Sequence, residues 1–424
     1  MVATGDVTPT SAVVWARGVR AGTLEILYGV RGAGTAPARR ALAVDRDGDL
    51  TGKLTLSGLT PGTRHAVRVS QGAAREDVEF VTAPPPEAPA RVAFVWSGDL
   101  GGAGFCRPVD GGYRIFRPMA ERRADFFLFA GDIVYADVPC DRPGTVRGAE
   151  FRARTLAQYR ARHRYQHADP PLRGLLRGTS VYAIWDDHEV QNDVAGPYDP
   201  LMPVGRQALL DYWPIAPPAD EPTRLYRRFR WGRLLEVFVL DTRQYRSPNR
   251  EPDGPAKTML GAAQKRWLLD AVTSSSAVWK VVVSSVSLSI PTGRPGARDS
   301  WTGASPFGLP VAGDGFPTER DAILAHFRTH GVENLVFVVA DVHHAEAIRH
   351  QPAGAWSFHE LVAGPLSASQ GRPRPLDASL NPRSLFARGG VLSFGEVVIE
   401  PAQLTVRFID DAGTVLFTHT IQPR

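Results

Sequence analysis

Four strand-length apolar runs in this 424-residue chain end in acidic, histidine or tyrosine residues. Ser97-Gly98-Asp99 follows residues 91–96, and Gly131-Asp132-Ile133-Val134-Tyr135 follows 126–130. Asp186-Asp187-His188-Glu189 follows 181–185, and Asp341-Val342-His343-His344 follows 334–340. One Asp after a strand is usually a turn former. Four such ends in one chain point instead to clustered oxygen and nitrogen donors, the set that hard or borderline metal ions need. If one carboxylate bridges two ions, the result is a two-metal centre with ions about 3.5–4 Å apart, which activates water and neutralises a phosphoryl group.

These runs, with residues 234–240 and 279–284, are rich in Val and Phe, as expected of strands buried on both faces. Their alternation with helix-capable segments at 262–271 and 319–329 predicts an α/β domain, whose ligand sites gather at the carboxyl ends of strands. Residues 391–400, 404–409 and 414–421 read as antiparallel strands that finish a second sheet. Upstream, short alternating strands at 12–17, 24–28, 52–56, 66–70 and 77–81, separated by Gly and Pro turns, predict an antiparallel sandwich. Ala83-Pro84-Pro85-Pro86-Glu87-Ala88-Pro89-Ala90 is stiff and extended. The division is therefore a small all-β sandwich at 1–83, a Pro-rich linker at 84–90 and a catalytic domain at 91–424.

Composition is that of a folded protein, 43% hydrophobic and 22% charged. No apolar run is long enough to span a membrane, and no basic-then-apolar leader is visible at the N-terminus. Net charge is +5. Only Lys53, Lys257, Lys265 and Lys280 are lysines, so arginine supplies the other 45 of the 49 basic residues. The arginines are scattered rather than clustered, which speaks against a nucleic-acid partner.

Several segments form an ordered set of motifs. They are Thr4-Gly5-Asp6-Val7-Thr8-Pro9-Thr10-Ser11-Ala12-Val13-Val14-Trp15, Trp185-Asp186-Asp187-His188-Glu189-Val190 with Asn192, and Leu240-Asp241-Thr242-Arg243-Gln244-Tyr245-Arg246. Thr258-Met259-Leu260-Gly261 with Gln264 and Trp267-Leu268, Gly131-Asp132 with Tyr135, and Asp341-Val342-His343 complete the set. Together they resemble the PhoD-type (alkaline phosphatase D) branch of the calcineurin-like metallophosphoesterases. The resemblance implies an α/β metallophosphoesterase sandwich, two mixed sheets flanked by helices, preceded by a fibronectin-III-like sandwich. Leu59-Thr60-Pro61-Gly62-Thr63-Arg64-His65 is similar to that sandwich's corner, with His65 where Tyr is usual.

By the same resemblance Asp99, Asp132, Tyr135 and His343 hold one metal, with Asp132 bridging, and Asp187 and Asp341 hold the second. A phenolate at Tyr135 favours Fe(III). An all-oxygen second site suits Ca²⁺ or another divalent ion, with Zn, Mn and Mg as alternatives. His188 matches the histidine near the leaving group. The implied activity is phosphate-ester hydrolysis of the alkaline phosphatase or phosphodiesterase type. A phospholipase-D-like phosphodiesterase and a non-catalytic cell-surface binding protein are the rivals. The family is often exported, and its partner here is a phosphate-ester substrate.

Arg107, Arg294 and Arg298, on Gly- and Pro-rich loops, are candidates for holding outer phosphate oxygens. Asp186, Asn192 and His344 are expected behind the ligands, because neighbours in an extended segment point opposite ways. Cys106 and Cys140 follow neighbouring site loops. A Cys106–Cys140 disulfide, a Cys106 thiolate ligand and a free thiol are all open. His163, His167, His326 and His330 fall in helical or linker contexts and are expected in solvent.

Overall fold

The computed structural model describes residues 1–34 and 36–424. Two large sheets face each other, one of nine strands and one of seven. At the centre of the first, Val92–Ser97, Phe126–Ala130 and Ser180–Ile184 run parallel and adjacent. At the centre of the second, Leu235–Val239, Trp279–Val283, Leu335–Val339 and Trp356–Val362 do the same. Parallel neighbours place their carboxyl ends side by side, so every site loop named above leaves from one rim of the sandwich.

The period-2 alternation of the second sheet explains its burial on both faces. Val237, Val239, Val281, Val283, Val336 and Val338 join the core shared with the first sheet. Phe238, Val282, Phe337 and Val339 join a second core, which also takes Leu268, Ala271 and Val272 from helix Gly261–Thr273 and Ile323, Leu324 and Phe327 from helix Pro317–Thr329. Across the shared core, Phe126 meets Trp231 with ring centroids 4.7 Å apart and Tyr182 meets Phe229 at 4.2 Å.

The structure differs from the sequence reading in three respects. The tail strands Ser393–Glu400, Gln403–Asp410 and Val415–Ile421 do not finish a second sheet; they extend the first one beside Val92–Ser97. Two upstream strands were not legible. Val2–Gly5 is only four residues long, and Ala38–Val44 is mostly exposed and carries Arg39 and Arg40, so it shows no apolar alternation. Finally, His163 and His167 are not solvated. They are buried on helix Leu156–His167, where His167 stacks on Trp15 at 4.5 Å and meets Trp213 at 4.6 Å. Burial pushes both imidazoles down to about 3, so they are neutral packing groups.

The upstream strands form two sheets, and one of them is continuous with the nine-stranded sheet. Val2–Gly5, Ser11–Arg17 and Thr51–Ser57 prolong the nine-stranded sheet, with Gly5 paired in parallel to Val181. The other four strands stand as a separate sheet. Asp6 fixes the junction: its carboxylate accepts from Arg227 Nε at 2.9 Å and from the Ala216 amide, while Arg227 Nη2 donates to the Ala183 carbonyl. Trp15, fully buried, donates to the Asp211 carbonyl at 2.7 Å.

Removing residues 1–83 would expose an unpaired strand edge and the pocket that held Trp15. We expect the remaining chain to aggregate, or to melt about 10 °C or more lower. A soluble fragment whose melting, followed by near-UV circular dichroism, matches the full chain would contradict this.

Candidate metal centre

Three of the four acidic side chains reach the rim where the backbone turns sharply as it leaves its strand. Asp99, Asp132, Asp341 and His343 all adopt left-handed backbone conformations, with φ of 63°, 49°, 67° and 60°. Non-glycine residues rarely do so, and such strain concentrates at functional sites. Glycine supplies the clearance between loops. A Cβ on Gly364 would lie 2.5 Å from Asp99 Oδ2, and one on Gly131 would lie 2.6 Å from the Asp186 Cβ.

Three three-residue groups result among the described residues. Donor atoms of Asp99, Asp132 and His343 lie within 4.8 Å of one another, as do those of Asp132, Asp187 and His188, and those of Asp187, Asp193 and Asp299. Asp132 joins the first group to the second, and Asp187 the second to the third. Asp341 sits against the first group, its amide donating to Asp99 Oδ1 at 3.1 Å. The Tyr135 hydroxyl is 3.1 Å from His343 Nε2. His343 Nδ1 faces the Ser369 carbonyl at 2.7 Å, which holds its proton on that side and leaves the Nε2 lone pair towards the carboxylates.

Asp99 Oδ2, Asp187 Oδ1 and Asp341 Oδ2 are buried with no hydrogen-bond partner among the described residues. Burial, reinforced by neighbouring carboxylates, raises Asp99, Asp132 and Asp341 well above the usual range: Asp186 acts most on Asp99 and Asp341, and Asp187 on Asp132. Burial and Asp132 likewise hold the Tyr135 phenol protonated. Of the three unpaired oxygens, only Asp187 Oδ1 has a described guanidinium near it, Arg243 at 3.9 Å, and buried acceptors of one sign that lack donors call for a cation. Four carboxylates, a phenol and one imidazole nitrogen fit hard ions.

Beneath these groups lies a layer of buried charge. Asp186 points away from the ligand groups, to Arg243 Nε at 2.6 Å and the Ser285 hydroxyl at 2.5 Å. Arg243 also makes a two-pronged contact with Asp299, at 2.7 and 2.8 Å, and Arg246 reaches the same carboxylate at 2.7 Å. Burial opposes the Asp299 charge, but Arg243 and Arg246 bring it down to about 2. Glu189 ties two site loops together, accepting from the Ile133 amide at 2.6 Å and the Asp186 amide at 2.8 Å. Burial raises Glu189 to about 8.

Of the remaining candidates, His188 stacks on Tyr135 at 4.0 Å and holds Asp137 through Nδ1 at 2.7 Å. The Asn192 amide donates to the same Asp137. His344 is buried and pairs with Glu346, so it does not back a ligand. Two of the three arginines are engaged elsewhere. Arg107 donates to the Tyr165 carbonyl and covers that ring, and Arg298 donates to the Gly293 carbonyl. Arg294 is exposed on the same short hairpin. Cys106 and Cys140 form a disulfide, Cα atoms 5.6 Å apart, which excludes both the thiolate-ligand and free-thiol states. Asp137, Asp299 and Arg246 escaped selection as site residues. Asp137 follows Tyr135 by two residues, and Arg246 lies in the same motif as Arg243. Asp299 sits in an irregular loop with no local signal.

Replacing both cysteines by Ser is expected to cost about 2–4 kcal/mol of stability and lower Tm, read by denaturant titration. Cation binding is a second test. Any ion at 100 times its Kd stabilises by about 2.7 kcal/mol. Chelator-treated protein should therefore gain Tm with Ca²⁺, Mn²⁺ or Fe(III), and Asp132→Asn should lose most of that gain. No gain from any ion would remove the metal reading.

Comparison with known proteins identifies the family. The family described as PhoD-like phosphatase matches residues 94–400. "Alkaline phosphatase D" of Bacillus subtilis (strain 168) is 28% identical over 271 residues, which is 56% of this chain but only 44% of that relative's length. A solved structure described as "Structure of PhoD" superposes with a TM-score of 0.81 at 20% identity, covering 100% of this chain and 92% of the other, and so shares the fold. With most of its length matched, this chain belongs to the PhoD-like phosphatase family.

Proposed function

We propose that this protein hydrolyses phosphate esters at a dinuclear metal centre. The observation that carries the reading is that Asp132 joins the Asp99–His343 group to the Asp187–His188 group, with buried oxygens of Asp99, Asp187 and Asp341 around it that accept no hydrogen bond among the described residues. Asp99, Asp132, Tyr135 and His343 would hold one ion, and Asp132, Asp187 and Asp341 the other. Fe(III) with Ca²⁺ or another divalent ion suits a set of oxygens with one phenol. When bound, such ions supply Lewis acidity, neutralising phosphoryl oxygens and lowering the pKa of water.

The chain's own residues do the rest. His188 borders the carboxylates and keeps a proton on Nδ1 against Asp137, and its ring is held by stacking on Tyr135. Burial opposes its charge, but Asp187 and then Asp137 raise it to about 9. A protonated imidazole beside the reacting phosphate can donate to the departing alkoxide. Arg243, locked between Asp186 and Asp299, keeps the Asp187 loop in place while the site fills and empties. An intact donor set supports a catalyst over a binding protein.

We read residues 1–83 as a fibronectin-III-like unit, 84–90 as its connection and 91–424 as the catalytic unit. The connection is docked, since the Arg233 amide donates to the Ala88 carbonyl at 2.7 Å. The neighbouring Gly232 permits that approach, because a Cβ there would lie 2.6 Å from the same carbonyl oxygen. Export is supported by the Cys106–Cys140 disulfide, which persists in oxidising compartments. Among the described residues, no helix is long and apolar enough to cross a membrane.

Hydrolysis of p-nitrophenyl phosphate and of bis-p-nitrophenyl phosphate tests the reading. Turnover of either should vanish with chelator, return with added ions, and fall by about two to four orders of magnitude in His188→Gln. Wild-type protein that no ion can activate would overturn it. The proton on His188 gives a separate check. In chelator-treated protein, its ring should stay protonated up to pH about 9, as followed by NMR. Cation loading should lower that value, because a nearby positive charge disfavours the imidazolium. Activity should then decline on the alkaline side, where the proton is lost.

A further inference from the structure

A cavity of about 300 Å³ opens beside His188, on the side where Asp137 and Asn192 lie. Its other wall is the segment carrying Arg152 and Arg154. That segment is fastened to the metal loops. The Ala153 amide donates to the Ala136 carbonyl at 2.8 Å, and the Cys140 amide to the Ala149 carbonyl at 2.9 Å. The buried Arg162 guanidinium donates to the carbonyls of Ala149, Tyr135 and Val138. The two arginines are thus carried on a braced backbone.

Neither the Arg152 nor the Arg154 guanidinium has a hydrogen-bond or ion-pair partner among the described residues, and both residues are exposed. The acid facing them, Asp137, is already engaged by His188 Nδ1 and the Asn192 amide. Gln191, also on the wall, is turned to Asp199. The cavity therefore offers two free cations against one occupied carboxylate, next to the group that would protonate a leaving alkoxide.

We infer that this cavity receives the leaving group of the phosphate ester, and that Arg152 and Arg154 select leaving groups bearing an oxyanion of their own, a carboxylate or a phosphate. The inference rests on the hydrolase reading above. Guanidinium groups bind both oxyanions through paired N–H donors. Because these arginines are exposed, salt should weaken the selection.

The test compares kcat/KM for phenyl phosphate, meta-carboxyphenyl phosphate and meta-phosphonophenyl phosphate, since meta placement alters the acidity of the phenol little. Wild-type enzyme should prefer the two charged esters by about tenfold, an effect the size of a few exposed charge contacts. Arg152→Ala with Arg154→Ala should abolish most of that ratio, and Arg152→Lys with Arg154→Lys should keep part of it. The larger of the two gains identifies the oxyanion the cavity fits best. If the alanine variant fails to fold, the wild-type ratio at about 1 M salt decides: it should collapse towards unity. A ratio near one in the wild type, or one that neither the variants nor salt reduce, overturns the inference and leaves the hydrolase reading standing. No turnover of any ester under metal loading overturns both.

Discussion

Repulsion among Asp99, Asp132, Asp187 and Asp341 is the constraint around which this molecule is organised. Four carboxylates crowd one rim, and three of them have a buried oxygen that accepts no hydrogen bond among the described residues, so the cluster calls for positive charge between them. In the protein alone the outcome is a set of raised acid pKa values. With cations the same arrangement is the binding energy itself. Folding must therefore hold these groups together against their own charge.

The two-sheet sandwich does so with parallel strands on both sides of one core. Asp99 and Asp132 come from neighbouring strands of the nine-stranded sheet, and Asp341 and His343 from the seven-stranded sheet opposite. Contacts across the rim join the sheets: Asp341 to Asp99, Trp185 to Asp241, and Asp186 to Arg243. Arg243 is the only described guanidinium that pairs with both Asp186 and Asp299, and burial makes each of those contacts strong and costly to lose. The left-handed turns at Asp99, Asp132, Asp341 and His343 are strained positions that this packing sustains.

The periphery serves the same rim. The disulfide closes the loop behind Tyr135, and Arg162 caps three carbonyls of the neighbouring stretch. The upstream strands are not an appendage, because three of them continue the nine-stranded sheet through Gly5 and Val181. Strand pairing across that seam, together with the Asp6–Arg227 contact, couples the stability of residues 1–83 to the layer that carries Asp187.

Sequence alone showed which donor types leave the strand ends. Apolar runs of strand length ending in Asp, Tyr and His are local features, and local patterning exposes them without knowledge of the fold. It also located six of the seven central strands, missing Trp356–Val362, and the helices at 261–273 and 317–329 to within a few residues, because those carry strong periodicity. What it missed depends on long-range contact. The pairing of Val2–Gly5 with Ser180–Ile184 joins segments far apart in the chain, and nothing in a four-residue strand announces its partner. His163 and His167 looked solvated because helix Leu156–His167 is polar overall, yet Trp15 and Trp213 close over them. Arg107 and Arg298 were plausible anion binders by loop context, but only the tertiary structure decides which arginines find carbonyls and which, like Arg152 and Arg154, stay free. Donor type is written in the residues; which donors meet, and which charges remain unpaired, is settled by packing between distant segments.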